Sequence, residues 1–167
     1  MIEMVEDLAL SAGNMVDGAI AVSAGRLHLE DPSQALTLLI EHDATALEYF
    51  RHELSHQIAM ALMRFDGSVQ AVYKEHELPE AEEFGTPQLR INDPLYLVVY
   101  SERETVALRS LICALDRSLV DALSEHCGQM APGLINAEII NPAHARRVYA
   151  SAGGFRPPPV KLVSRVN

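Results

Sequence analysis

Apolar residues recur along this chain with two distinct periods. The helical period is clearest from Ala44 to Phe65. There Leu47, Phe50, Leu54, Ile58, Ala61, Leu62 and Phe65 follow at intervals of three and four, which predicts a helix with one apolar stripe. Ala59, Met60 and Met63 carry apolar character round its second half, so that half is expected to be covered on both sides, by a sheet or by a second subunit. A run from 58 to 65 could instead form a strand hairpinned through Asp66-Gly67, but Ala and Met dominate it and favour helix. The same spacing in Leu108, Leu111, Ile112, Leu115, Leu119 and Leu123 predicts a second long helix, over 101–126. Ser101-Glu102-Arg103-Glu104 reads as the capping box that opens it, and Gly128 with Pro132 ends it.

The period of two marks strands. Ser68 to Lys74 alternates after the Asp66-Gly67 turn. Leu95 to Tyr100, LYLVVY, is apolar almost throughout and is expected at the centre of its sheet. Leu134 to Ile140 is a further strand, and the charged Val160 to Val166 reads as an edge strand. Ala19 to Leu29 alternates in part and reads as a strand broken near Gly25. Residues 2–12 read as a short helix, with helix or turn between Gly13 and Gly18. Asp31-Pro32-Ser33-Gln34 is a helix start, with Asp as cap, Pro at the first position and Gln completing the box. Asn141-Pro142 opens a short helix through about Tyr149. The fold expected is α+β: one domain over 1–167, a mixed sheet of about five strands, and two main helices packed on it.

Composition narrows the function classes. At 49% hydrophobic over 167 residues, disorder is not expected. The acidic N-terminal stretch does not look like a signal peptide, and no run of about 18 apolar residues suggests a membrane span. Cys113 falls inside an apolar helical pattern and reads as a reduced core residue; it and Cys127 suit the cytoplasm. Residues 1–83 hold 16 acids and 4 Lys+Arg, a charge of −12, and residues 84–167 hold 7 acids and 9 Lys+Arg, a charge of +2. Acidity on this scale argues against nucleic acid as a partner. The acidic and basic halves are expected to complement each other, within the molecule or across a dimer.

One motif carries chemistry. His52-Glu53-Leu54-Ser55-His56 matches H-E-x-x-H. Two imidazoles four apart on a helix can bind one zinc, and the Glu between them can act as base on zinc-bound water. Over these five residues the chain resembles the zincin metallopeptidases. The resemblance implies His52 and His56 as zinc ligands, Glu53 as the catalytic base and zinc as the cofactor. At about 100° per residue, the histidines are expected opposite the apolar stripe. Arg51 precedes the motif, and Glu104, Glu75, His76 and His126 are the third-ligand candidates by residue type.

A second stretch, Ala145 to Phe155 (ARRVYASAGGF), is similar to the end of a helix in the GNAT-type acyltransferases. The order of strands and helices from 95 onward is also similar to that family's second half. The resemblance implies Tyr149 as an acid, and CoA phosphates held where the long helix opens. There this chain has Arg103 to Leu108, RETVAL, without a glycine. The expectation drawn from the whole sequence is a non-enzymatic binding or assembly module that self-associates, bound to neither nucleic acid nor membrane. Zinc-dependent hydrolysis and degenerate GNAT-like acyl transfer are the alternatives.

Overall fold

Leu8, Ala12, Met15, Val16, Ala19, Ile20, Ser23 and Ala24 are all buried, and their spacing of three and four runs unbroken through two glycines. They form one helix, α1 (Ile2–Arg26), where the sequence reading has a short helix and a strand. The partial alternation of AIAVSAG also fits a helical stripe, and packing against three other helices decides between the two. The structure is a computed structural model describing residues 2–75, 90–128, 133–143 and 160–165. After α1 come α2 (Pro32–Ile40), α3 (Ala44–Phe65), β1 (Val69–Lys74), β2 (Leu95–Ser101), α4 (Val106–Cys127), β3 (Ile135–Ile140) and β4 (Val160–Ser164). The class is α+β as expected. With Ala19 to Leu29 helical, the sheet has four strands among the described residues instead of about five. Among the described residues there are three long helices instead of two: α3 and α4 contact the sheet, and α1 packs across α3 and α4. The short helix expected from Asn141 to Tyr149 falls largely outside the described residues.

The capping chemistry follows the sequence at α2 and departs from it at α4. Asp31 Oδ1 accepts from Ser33 N at 2.9 Å and Gln34 Oε1 from Asp31 N at 3.4 Å, completing the expected box. Asp43 Oδ1 accepts from Ala46 N at 2.9 Å, so α3 is a separate helix. At α4 the cap is Thr105, whose Oγ1 accepts from Leu108 N at 3.0 Å, and the expected box at Ser101 does not form. Ser101 is the last residue of β2, and its buried hydroxyl donates to Arg103 O at 2.8 Å. Helices α1 and α2 each end with a histidine in the left-handed region, His28 at φ 56° and His42 at φ 60°. Paired bonds close each end: Leu29 N to Ala24 O with His28 N to Gly25 O, and Asp43 N to Leu38 O with His42 N to Leu39 O. Glycine usually holds this position, because a side chain is strained there.

The sheet order is β3-β2-β1-β4. β1 runs antiparallel to β2 and β4, while β2 and β3 are parallel. LYLVVY is therefore central, and β4 is at an edge as its charges suggested. Val72 pairs with Val99, and both face a core to which all four helices contribute. The opposite face carries Val98 and Ile140 with Tyr73 and Tyr100, whose ring centres lie 5.0 Å apart. Within α1, Asp7–Arg26 is long and apolar enough by length and composition to cross a membrane, a stretch the sequence reading passed over. In this fold 44% of it is buried, on the stripe that packs against the other helices.

One buried charge fixes α3 to the sheet. Arg51 is 1% exposed. Its guanidinium donates to Asp93 O at 2.7 Å, Pro94 O at 3.0 Å and Arg90 O at 3.2 Å, gripping the segment that leads into β2. At the far end of α3, Arg165 donates through Nε to Val69 O at 2.7 Å and through Nη2 to the Met63 and Asp66 carbonyls.

Beyond the backbone of its own helix, no atom lies within 4 Å of a Cβ placed on Gly18, so Gly18→Ala stabilises the protein by about 0.5–1 kcal/mol, and His42→Gly by about 1 kcal/mol. Urea midpoints check both. Arg51→Lys costs about 3–5 kcal/mol, because one ammonium cannot span three carbonyls and stays buried. A midpoint within error of wild type would contradict it.

Candidate functional site

His52, Glu53 and His56 are each half-buried, whereas Arg51, Leu54 and Ser55 beside them are buried. The buried arc of α3 is wider than the apolar stripe of its sequence, because Arg51, Ser55 and Ala59 also face inward. This leaves His52 at the margin of the core, not opposite it. Ser55 Oγ donates to Arg51 O at 2.7 Å and Gln57 Nε2 to Glu53 Oε1 at 3.0 Å. Burial pushes the pKa of His52 below its ordinary 6.5. The positive charges of Lys74 and Arg26 and the neighbouring His56 lower it further, and Glu53 opposes them. The Arg26 guanidinium also lies 5.4 Å from the centre of the Tyr49 ring.

This arrangement fits a zinc poorly. The motif supplies two imidazoles, and a catalytic zinc takes three protein ligands. Among the described residues no three His, Cys, Asp or Glu side chains converge. Of the sequence candidates, Glu104 is at the start of α4, bonded to Arg109. His126 lies 3.2 Å from Asp17, Glu75 follows β1, and His76 is outside the described residues. Lys74 and Arg26 also place positive charge where a dication would bind. The stretch similar to the acyltransferases, with Tyr149, lies outside the described residues. At RETVAL, Thr105 takes the Leu108 N–H, Leu108 is buried and Val106 is 84% exposed.

The second apolar face of α3 is mostly absorbed by the protein's own core. Ala59 is buried, Met63 packs against the core, and Met60 remains 51% exposed beside a groove between α1 and α3. A different feature emerges at the edge of the sheet. Ile135, Ala137 and Ile139 of β3 point to the helix side yet are only half-buried. With Arg109, Ile112 and Cys113 of α4 they line an open groove of about 390 Å³. Cys113 is exposed here, correcting its reading as a core residue: it sits one position past the buried Ile112. Asp116 Oδ1 accepts from Leu134 N at 2.7 Å and from Ile135 N at 2.8 Å, fixing the start of β3 under α4. The sequence marks 134–140 as a strand. Its position at the edge comes from pairing, among the described residues, on one side only, which the sequence pattern does not carry.

The chain matches no protein-family profile, no curated protein and no solved structure.

The lowered pKa of His52 has a sign that can be checked. Between 6.5 and the lowered folded-state value, the unfolded chain binds the proton and the folded chain does not. Stability is therefore lost as pH falls through this window. The loss in urea midpoint between about pH 7.5 and about pH 5.5 is smaller in His52→Gln than in wild type. An equal loss in both would refute the assignment.

Proposed function

We propose that this protein is a non-enzymatic binding and assembly module of the cytoplasm that associates with itself. The observation that carries this reading is the β3 edge. Among the described residues this strand pairs on one side only, beside an open groove of about 390 Å³ where Ile112, Ile135, Ala137 and Ile139 are joined by Arg109 and Asn136. Edge strands with apolar flanks are places where another chain adds to a sheet. The opposite edge strand, β4, is exposed through Val160 and Lys161 but tied at its end by Arg165. The electrostatics of α3 support the same choice. The positive charge of Lys74 and Arg26 beside His52 disfavours a dication there.

Zinc-dependent hydrolysis is the competing reading. It is favoured by the adjacency of His52 and His56 and by the lowered pKa of His52, which keeps that imidazole in the form a metal takes. One preparation, purified without a histidine tag and supplied with zinc, separates the two. The assembly reading expects sedimentation equilibrium at micromolar concentration to give a dimer, and elemental analysis to give well under one zinc per chain. Stoichiometric zinc retained through dialysis, with hydrolysis abolished in Glu53→Gln, would replace this reading by the enzymatic one.

A further inference from the structure

We infer that the β3 edge pairs with the β3 edge of a second copy, antiparallel and centred on Ala137, joining two four-stranded sheets into one. This rests on the self-association proposed above and names its surface and register. The backbone geometry comes first. Leu95 N donates to Leu134 O at 2.6 Å, and Leu95 pairs with Ile135 in the parallel ladder. The carbonyl of Leu134 and the N–H and C=O of residues 136, 138 and 140 therefore turn toward β2, while the Leu134 N–H goes to Asp116. Residues 135, 137 and 139 turn theirs to the open side, since these groups alternate along a strand. Asp116 already takes the Ile135 N–H. What remains outward is the carbonyl of Ile135 and both groups of Ala137 and Ile139.

An antiparallel partner bonds outward group to outward group, so odd positions must face odd positions. With Ala137 at the centre, each Ala137 exchanges two bonds with its counterpart. Each Ile139 N–H donates to the Ile135 carbonyl of the other copy. Four bonds form, and none asks for the N–H that Asp116 holds. The side chains agree with this register. The sequence Ile135-Asn136-Ala137-Glu138-Ile139 reads nearly the same in both directions about Ala137. Ile135 faces Ile139 of the second copy on the groove side, beside Ile112. Asn136 faces Glu138 of the second copy on the other side, a pair that can hydrogen-bond. Shifting the centre by one residue, to 138, puts the two Glu138 carboxylates opposite each other, which is unfavourable. The exposure of Asn136 and Glu138 and the half-burial of the three apolar residues are what an unfilled edge of this kind shows.

The test is sedimentation equilibrium on the full chain, comparing wild type with three variants. Ala137→Pro removes an N–H that points away from β2. The proline monomer should keep its circular dichroism and lose the dimer. Asn136→Glu places two like-charge pairs across the two-fold and weakens the dimer about ten-fold, while Asn136→Lys tightens it by a similar factor. Should Ala137→Pro fail to fold, the opposite responses of the two Asn136 variants decide alone. A wild-type dimer whose affinity none of these changes alters would overturn the β3 pairing and leave self-association standing. A wild-type monomer at every concentration would overturn both.

Discussion

A buried guanidinium holds this fold in register. Removing a cation from water is costly unless its donors are met, and a loop carbonyl turned inward is costly unless it finds a donor. Arg51 meets both demands, reaching from α3 to the carbonyls of Arg90, Asp93 and Pro94. These carbonyls precede β2, the strand that pairs on both sides with β1 and β3. The position of α3 on the sheet is thus tied to the entry of its central strand. Ser55, one turn along, closes its hydroxyl on the Arg51 carbonyl, so the helix is polar at its buried centre without an unmet group there.

This clamp also sets the electrostatics of the histidines. With Arg51 turned inward, residue 52 is carried to the margin of the core, near Lys74 on the helix side of β1. The positive charge that gathers around His52 comes from two other elements: Arg26 ends α1 and Lys74 ends β1. The acidic first half and the more basic second half of the sequence suggested that carboxylates would meet arginines. The arginines that tie elements together here do so through main-chain carbonyls. Arg165 grips the C-terminal end of α3, where the helix dipole favours a cation.

The two edges of the sheet differ in chemistry as a result. β4 is exposed, carries Lys161, and ends in the Arg165 grip on α3. β3 is held at its first residues by Asp116 and otherwise presents alternate backbone groups and half-buried aliphatic side chains beside α4. Proteins commonly blunt their edges with lysine, proline or a covering element. Among the described residues β4 has the lysine, and β3 has only Glu138, on the face away from the groove. That asymmetry is the reason the proposed pairing is assigned to β3 and not to β4.

The sequence by itself determined the elements whose signals are local. The stripe from Leu47 to Phe65, the capping box at Asp31 and the apolar run of β2 all appear in the structure where the pattern put them, because each depends on residues within a turn or two. The same local information misplaced Ala19 to Leu29, where short small residues fit either period. It also opened α4 at Ser101 instead of Thr105, since both serine and threonine can cap. Burial against α2, α3 and α4 resolved the first, and the length of β2 resolved the second. Pairing between distant segments decided the rest. Arg51 reads locally as one more charge on a polar helix face, and only the carbonyls of residues 90 to 94, some forty positions away, make it a buried anchor. Likewise nothing within residues 134–140 says that, among the described residues, the strand pairs on one side only. That follows from which strands pair with it, a property of the whole sheet and of no residue in it.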